Sequence, residues 1–249
     1  MIEYRGLYKS FGPLHVLRGV DLLVPEGETL ALLGPSGSGK SVLLKCAIAL
    51  LEPDQGDVIV DGVSIASATR DELRRVRRNL GYVFQNAALF DSLTVAENLM
   101  LAQCDETNQK SVRSCREEAI ELLAKVNLEP GVLEKLPAEL SGGMKKRVGV
   151  ARAIASRPRY LLWDEPTTGL DPVNADNIDQ LIFDLGRSLG VTSIVVTHDL
   201  DTAFDVGDRI ALLYEGMIRV NQTPAEILKN EDPVVRRFVR RSQIEPALA

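Results

Sequence analysis

The chain has 249 residues, of which 45% are hydrophobic and 26% are charged, and its formal net charge is −6. This balance is typical of a globular protein with one large domain, or with a core domain that carries an inserted subdomain. The acidic surplus argues against a general nucleic-acid binder, because such proteins normally carry a basic surplus. The longest apolar runs are far shorter than the ~18–20 residues that cross a bilayer.

The N-terminal residues predict strands. The opening stretch MIEYRGLYKSFG lacks the apolar core of a targeting peptide. Short β-type runs broken by Gly, Pro and Asp occupy 1–33 and 56–66, which predicts the strands and turns of a mixed sheet. The run TLALLG at 29–34 reads as an apolar strand that ends abruptly in a glycine-rich loop.

That loop, GPSGSGKS at 34–41, matches the pattern G-x-x-x-x-G-K-[ST] in full. It lies between the apolar strand and a helix predicted over 41–52, which is the context that the pattern requires. The glycines let the backbone curl around phosphate oxygens, and the helix N-terminus adds a positive dipole. Lys40 offers a charge to the β- and γ-phosphates, and the Ser41 hydroxyl offers a ligand to Mg²⁺. The loop therefore predicts a nucleoside triphosphate site.

A short charged helix is predicted over 69–78, and Thr69 and Glu72 have the spacing of a capping box. Its arginines are interpreted as a solvated helix face: Arg74, Arg75, Arg77 and Arg78.

From about 86 to 157 the pattern becomes helical and interrupts the alternation of strands with helices. One predicted helix face carries Ala119, Leu122, Leu123 and Val126, and a later one carries Val148, Ala151 and Ile154. Ser141, Gly142 and Gly143 open the later helix. The bare backbone N–H groups of such a start suit an anion.

Two buried-type strands follow, RYLLWDE and TSIVVTH. The first predicts that Asp164 and Glu165 lie at the C-terminal edge of the sheet, where open α/β folds bind ligands. Asp164 is placed to hold Mg²⁺, through water, and Glu165 to polarise an attacking water. His198 ends the second strand, where its imidazole could donate to a leaving group or hold the water. His15 has no such neighbours in the sequence and is interpreted as a surface residue.

Two further helices are predicted after Asp164. One is amphipathic, with Ile178, Leu181, Ile182, Leu185 and Leu189 in register, and Gly190 ends it. The other begins at Thr223 with Pro224 at its first position and Glu226 completing a capping box. The cysteines Cys46, Cys104 and Cys115 lack C-x-x-C spacing, which favours reduced thiols.

Together these motifs resemble the ATP-binding subunit of an ABC transporter over roughly residues 2–230. Residues 34–41 resemble its Walker A loop, Gln85 its Q-loop and Leu140–Met144 its L-S-G-G-Q signature. Residues 161–165 resemble Walker B with its catalytic glutamate, 169–171 the D-loop, and His198 the switch histidine. Met144 departs from the family's usual Gln. Because backbone amides and Ser141 would do most of the phosphate binding, activity is expected to survive this change.

The resemblance implies an α/β fold of the P-loop NTPase type. Its central sheet would be mixed or parallel, with an N-terminal antiparallel β subdomain and an inserted α-helical subdomain. The implied boundaries are 1–85 and 158–230 for the RecA-like ATP-binding core with its antiparallel β subdomain, 86–157 for the inserted subdomain, and 231–249 for a tail.

The resemblance also implies the site, with ATP and Mg²⁺ as its ligands. The implied catalytic residues are Glu165, His198, Gln85 and Lys40, and the implied Mg²⁺ ligands are Ser41, Gln85 and Asp164. The implied nucleotide contacts are Phe11, Gly34, Pro35, Ser36, Gly37, Ser38, Gly39, Lys40, Ser41, Val42, Ser141, Gly142, Gly143, Met144 and Asp171. Tyr8 is an alternative to Phe11 for stacking on adenine, although the spacing to Lys40 favours Phe11.

The implied partners begin with a second copy of the chain, since the signature helix of such ATPases binds the ATP held by the other subunit. The finer resemblance is to Mla/Mce-type ATPases of bacterial lipid transporters, through FQNAALFDSLTVAENL and LSGGMKKRVGVARAIA. It implies an integral membrane permease and an Mce-type lipid-binding protein, at the cytoplasmic face of the inner membrane, with a small regulatory subunit as a further candidate.

Several alternatives stay open at this point. The cargo could instead be an amino acid, a drug or an ion, and the chain could also be a non-transport ABC ATPase. Leu89, Phe90 and Leu93 could form a permease groove or simply subdomain core. The tail, with Val234, Val235, Phe238 and Val239, could bind anionic lipid, the partner ATPase or a regulatory subunit, or could be a solvated helix end.

Overall fold

The computed structural model describes residues 1–103 and 112–242. A four-stranded antiparallel sheet, in the order β2-β1-β4-β5, is formed by β1 (Ile2–Phe11), β2 (Leu14–Val24), β4 (Gln55–Val60) and β5 (Val63–Ser64). Ile2 pairs with Val24 on one side and with Val60 on the other. Ile2 and Tyr4 are both buried, because alternate side chains of a strand point to the same face.

A six-stranded sheet holds the remaining strands in the order β10-β9-β3-β8-β7-β6. Its members are β3 (Thr29–Leu33), β6 (Leu80–Val83), β7 (Tyr160–Asp164), β8 (Thr192–Thr197), β9 (Arg209–Tyr214) and β10 (Met217–Gln222). Five strands are parallel and only β10 runs antiparallel, against β9. All residues of β3, β7 and β8 are buried, as expected for parallel strands covered on both faces. The predicted α/β fold with its antiparallel β subdomain is confirmed.

Nine α-helices complete the described chain: α1 (Lys40–Ala47), α2 (Arg70–Arg78), α3 (Val95–Gln103), α4 (Val112–Lys125), α5 (Gly142–Ile154), α6 (Pro172–Leu189), α7 (Leu200–Val206), α8 (Pro224–Ile227) and α9 (Pro233–Ser242). The capping boxes at Thr69 and Thr223 are both confirmed, and Gly190 ends α6 in the left-handed conformation. The helix predicted over 41–52 is shorter than expected. It ends at Ala47 because Ala49 adopts a positive φ of 55°, and the N–H groups of Leu50 and Leu51 turn back to the carbonyl of Lys45.

The helical segment shares its core with one face of the parallel sheet. Leu123 of α4 and Val148 of α5 are buried in one cluster with Leu161 and Trp163 of β7. The alternate residues of β7, Tyr160 and Leu162, point to the opposite face and pack with the antiparallel sheet. The predicted face of α4 is confirmed as buried, and so is that of α6 except for the exposed Leu189. The sheet therefore lies between the helical segment and the antiparallel sheet.

The C-terminal helix α9 packs against its own chain. Val235 is buried with Ala203 of α7 and Leu212 of β9, and Val234, Phe238 and Val239 are partly buried in the same cluster. The apolar face of α9, which the sequence analysis considered as a contact for lipid, a partner or solvent, thus packs on the chain's own α7 and β9. Residues 243–249 of the tail lie outside the described residues.

Arg77 is exposed, as expected for a solvated helix face. Its guanidinium also donates to the carbonyls of Ile48 and Ala49, which connects α2 to the turn after α1. Cys46 and Cys115 are both buried, and burial raises the pKa of the Cys46 thiol to about 11. Cys104 lies outside the described residues. Over 1–103 and 112–242, no helix combines the length and apolar character needed to cross a bilayer.

Candidate nucleotide site

The loop 34–41 connects the end of β3 to the first turn of α1 and requires glycine at two positions. A Cβ on Gly34 would stand 2.4 Å from the carbonyl oxygen of Leu213. Gly39 has a φ of +104°, where a side chain is strained, and a Cβ there would also meet Val16 and Leu17 at 2.8 Å. Pro35, Ser36 and Gly37 are exposed at the tip of the loop. The tip is thus accessible to a ligand, and Ser36 and Gly37 each carry a backbone N–H there.

Lys40 is 4% exposed and turns back into this loop. Its ammonium donates to the carbonyls of Gly34 at 2.8 Å and Pro35 at 3.1 Å, and Nζ lies 3.8 Å from Oε1 of Glu165. Burial lowers the pKa of Lys40, and the charges of Glu165 and Asp164 oppose that change. The two carbonyls are neutral acceptors for the Lys40 ammonium. A phosphate bound in the loop would be a charged acceptor and would form a stronger hydrogen bond with it. Val42, in the same turn, is partly buried and packs against the core that includes the antiparallel sheet.

Ser41 and Asp164 form the candidate metal site. Ser41 donates from Oγ to Oδ1 of Asp164 at 2.5 Å, and Tyr82 of β6 donates from Oη to Oδ2 at 2.8 Å. Burial, first, and the neighbouring Asp164 raise the pKa of Tyr82, so its hydroxyl stays protonated and acts as the donor. Sequence reasoning missed Tyr82. The alternation of β6 was the only signal, and without the strand order it could not show that Tyr82 faces Asp164.

Glu165 follows β7 directly and lies among three polar groups. Its Oε2 accepts a hydrogen bond from Oγ1 of Thr168 at 3.0 Å and lies 3.5 Å from Nδ1 of His198, whereas Oε1 faces Lys40. Its backbone has a positive φ of 50°, which is strained for a residue with a side chain. The N–H of Glu165 donates to the carbonyl of Val196 at 3.0 Å, which anchors this turn to β8. The structure therefore brings Lys40, Glu165 and His198 together.

Gln85 is exposed in the turn that follows β6. Within the described residues its side chain makes no hydrogen bond, so its predicted contact with Mg²⁺ stays a prediction. Asp171 caps α6, accepting from the backbone N–H of Asn174 at 3.1 Å and from its Nδ2 at 2.6 Å. These hydrogen bonds lower the pKa of Asp171.

The signature residues open α5 at the surface. Ser141 is the N-cap and accepts from the backbone N–H of Met144 at 3.3 Å, which leaves the amides of Gly142 and Gly143 at the exposed helix start. A Cβ on Gly143 would approach Oδ1 of Asn174 at 3.2 Å. The side chain of Met144 is partly buried and packs against the helical core. No hydrogen bond or ion pair joins Ser141 to Lys40 in the parts of the chain that the structure describes.

A cavity of about 400 Å³ borders the phosphate loop and is lined partly by Leu14, His15, Gly37 and Ser38. Phe11 pairs with Leu14 at the end of the β1–β2 hairpin and is exposed. Tyr8 lies farther along β1, with its hydroxyl over Gly19. Tyr8 pairs with Arg18, which also lines this cavity, so the strand register brings both residues near it and the adenine contact of Phe11 stays a prediction. His15 is exposed as expected, but its place on the cavity wall was not predicted.

The residues present fit MgATP. Oγ of Ser38 is buried in the loop without a partner among the described residues, which leaves it free for a phosphate oxygen. Ser41 and Asp164 offer two hard oxygen ligands, and Mg²⁺ typically takes one or two protein ligands and completes its shell with water and phosphate. Within 1–103 and 112–242, no group of three or more His, Cys, Asp or Glu side chains is placed to hold a metal ion.

Comparisons with known proteins identify the relatives of this chain. A family model described as "ABC transporter" matches residues 17–168. The probable ribonucleotide transport ATP-binding protein mkl of Mycobacterium bovis is 40% identical over 98% of this chain and 68% of its own length. The glutamine transport ATP-binding protein GlnQ of Escherichia coli is 40% identical over 92% of this chain and 94% of its own length.

Two further matches are a plant protein and a solved structure. The chloroplastic protein TRIGALACTOSYLDIACYLGLYCEROL 3 of Arabidopsis thaliana is 40% identical over 96% of this chain and 73% of its own length. A dimeric structure of the ATP-binding cassette MJ0796, in a post-hydrolysis state bound to ADP and Pi, superposes with a TM-score of 0.82. It is 35% identical and covers 90% of this chain and 98% of that one.

Proposed function

Because this chain belongs to the ABC transporter ATP-binding family, we propose that it powers a bacterial lipid transporter as one half of a homodimer. The chain is an ATPase subunit of the ABC type, with ATP as its substrate. We further propose which residues perform hydrolysis, that two copies of the chain form the dimer, and which permease and cargo they serve.

The observation that carries the proposal is the separation of two phosphate-binding elements within one chain. Lys40 and the loop 34–41 form one element, and the exposed amides at the start of α5 form the other. A helix N-terminus attracts phosphate, yet within the described residues this one makes no hydrogen bond or ion pair with Lys40. A second copy would supply its α5 to the ATP on the first, which gives two composite sites. The dimeric MJ0796 cassette with ADP and Pi supports this arrangement.

Hydrolysis would use the side chains gathered at the end of β7. Mg²⁺, held by Ser41 and Asp164 with Gln85 nearby, would neutralise charge on the β- and γ-phosphate oxygens. Lys40 would leave the carbonyls of Gly34 and Pro35 and turn to the phosphates. Glu165 would orient and polarise the attacking water, and His198, within 3.5 Å of that carboxylate, would hold the water or the γ-phosphate.

Transport requires that ATP bind the closed dimer more tightly than the open one, since equal affinity would shift no population. ATP shared between two copies provides this difference, because the signature amides contact it only on closure. Hydrolysis then removes the bridging phosphate and reopens the dimer.

Phe90 is the proposed contact for a cytoplasmic helix of the permease. Its side chain is 55% exposed, whereas Leu89 packs against the helical core. The buried Asn98 holds the surrounding turn, accepting from the N–H of Phe90 at 2.8 Å and donating to the carbonyls of Phe90 and Leu93, each at 3.1 Å. A rigid turn that presents an exposed aromatic ring is suited to docking a helix.

Lipid is the proposed cargo, and the cytoplasmic face of the inner membrane the proposed location. The stretch after Gln85 and the methionine at 144 resemble Mla/Mce-type ATPases, and a relative named for trigalactosyldiacylglycerol supports a lipid role. An Mce-type lipid-binding protein and a small regulatory subunit are the further proposed partners. Relatives named for glutamine and ribonucleotide transport make another small molecule the second candidate.

The test is capture of the native membrane complex on the tagged full-length chain, with mass spectrometry of its proteins and lipids. Capture with Glu165→Gln preserves ATP-dependent contacts, and Lys40→Ala serves as the control that cannot form them. We expect a multi-span permease, an Mce-type protein and bound phospholipid. A complex with an amino-acid-binding protein and without phospholipid would contradict the lipid cargo.

A further inference from the structure

Lys146 is a buried lysine in the second turn of α5 that none of the motifs assigns to a role. It is 8% exposed. Its ammonium donates to the carbonyl of Pro166 at 2.8 Å and to the carbonyl of Thr168 at 3.0 Å. These carbonyls belong to the turn that begins directly after Glu165, so Lys146 ties α5 to that turn.

Burial of the Lys146 ammonium group at this position is energetically unfavourable. Burial lowers the pKa of Lys146, and the negative charge of Glu165 opposes that change. A buried charge is tolerated where it is hydrogen-bonded and has an opposite charge nearby. Both conditions are met at this point of the fold.

The turn 166–168, which Lys146 holds, positions the carboxylate of Glu165. Thr168 donates from its backbone N–H to the carbonyl of Glu165 at 3.3 Å and from Oγ1 to Oε2 at 3.0 Å. Glu165 itself has a positive φ of 50°. A strained conformation of this kind persists only when the surrounding structure holds it. Lys146 contacts both ends of the segment 166–168 and is therefore part of that support.

We propose that Lys146 is a positioning residue for Glu165: it fixes the turn 166–168 so that Thr168 keeps the carboxylate directed into the site. The proposal rests on the role of Glu165 in hydrolysis proposed above. Loss of the tie would let the turn relax, and a displacement of about 1 Å at a reacting group can cost up to about 100-fold in rate.

The position of Lys146 also connects two sites. Ser141, at the start of the same helix, lies five residues before Lys146, which is about 7.5 Å along a helix axis. The end of α5 that would contact the partner's ATP is thus joined through Lys146 to the chain's own Glu165. Lys146 acts on the rate of hydrolysis, whereas binding of ATP at the loop 34–41 does not depend on it.

The test is a double-mutant cycle with the full-length chain. Lys146→Met keeps the length of the side chain and removes both donors, and Lys145→Met is the matched control. The side chain of Lys145, partly exposed on the same helix, makes no hydrogen bond or ion pair to the turn within the described residues. We expect Lys146→Met to lower kcat about tenfold or more, with KM for ATP within threefold of the parent value. Lys145→Met should change kcat less than twofold.

The cycle with Glu165→Gln decides the mechanism. In the Glu165→Gln background, Lys146→Met should lower the single-turnover rate of ATP hydrolysis by less than a further twofold. The reason is that the effects of substitutions in groups that act as a unit are not additive. An equal loss in both backgrounds, an effect confined to KM, or an unchanged kcat would overturn the proposal. If Lys146→Met does not fold, Lys146→Gln, which keeps a polar donor, enters the same cycle. Parental turnover by Glu165→Gln alone would instead refute the role of Glu165.

Discussion

Ser41 and Asp164 are joined by a hydrogen bond of 2.5 Å although they lie 123 residues apart in the chain. One belongs to the first turn of α1 and the other to the end of β7, so the contact connects the loop 34–41 to the strand that Glu165 directly follows. Tyr82 fixes the other oxygen of Asp164 from β6. Three separate elements, α1, β6 and β7, thus set the orientation of the Asp164 carboxylate in the candidate metal site.

Replacing Tyr82 with Phe should raise the Mg²⁺ concentration needed for half-maximal ATP hydrolysis about threefold to tenfold, because outer hydrogen bonds orient metal ligands. The rate at saturating Mg²⁺ should change little. Tyr4→Phe is the matched control, since Tyr4 is buried and its hydroxyl has no partner among the described residues. Equal Mg²⁺ titrations for the two variants would contradict the role of Tyr82.

Glu165→Gln should slow hydrolysis by at least about 100-fold, because the amide cannot accept a proton from water. Binding of ATP should persist, since the phosphate loop and Lys40 are unchanged. Single-turnover hydrolysis and nucleotide-dependent dimerisation by sedimentation measure the two effects. Rapid turnover by the variant would refute the assignment of Glu165.

Phe90→Ala should weaken copurification of the permease at least about tenfold while leaving the ATPase activity of the isolated chain within twofold. The reason is that an exposed aromatic anchor on a rigid turn carries much of the binding energy of an interface. Phe183→Ala on α6 is the control, because Phe183 is also exposed and lies under Arg187, with a guanidinium-to-ring distance of 4.3 Å. If both variants retain the permease equally, Phe90 is not the contact.

Asp179 should make stability depend on pH. Burial, with the charges of Asp205, Asp199 and Asp176, raises its pKa to about 7, although Thr202 donates to Oδ2 at 2.8 Å. Between about pH 4 and pH 7 the unfolded chain ionises this group while the folded chain keeps its proton, so the free energy of unfolding falls as pH rises. Above pH 7 the loss is complete.

The variant Asp179→Asn removes this dependence and keeps the acceptor for Thr202. Denaturant unfolding should show a gain of about 1–3 kcal/mol at pH 8 and little gain at pH 4. Asp184→Asn, at an exposed position of the same helix, should show no such difference. A gain that is equal at both pH values would mean that Asp179 is not the responsible group.

Met144→Gln should leave ATP hydrolysis within about threefold of the parent rate, because the proposed anion contacts of the signature come from Ser141 and the amides of Gly142 and Gly143. It should lower the stability by about 1 kcal/mol, since the thioether packs against the helical core. Steady-state kinetics and thermal unfolding give the two values. A tenfold change in kcat would show that residue 144 contacts the nucleotide directly.

Several parts of this protein follow from local signals in its amino-acid sequence. The glycine-rich loop 34–41, the apolar strand before Asp164, the capping boxes at Thr69 and Thr223, and the buried faces of α4 and α6 all follow from spacing within a few residues. Neighbouring residues set these features through φ/ψ preferences, caps and periodic burial, so no knowledge of the fold was needed.

Contacts between groups that are distant in the chain depend instead on how the strands and helices are arranged in the fold. Tyr82 reaches Asp164 because β6 lies beside β7, and Glu165 meets His198 because β7 lies beside β8. Lys146 reaches the turn after Glu165 because α5 packs its buried face on that side of the sheet. The order of strands depends on how all the apolar faces are buried together, and no short stretch of residues carries that information.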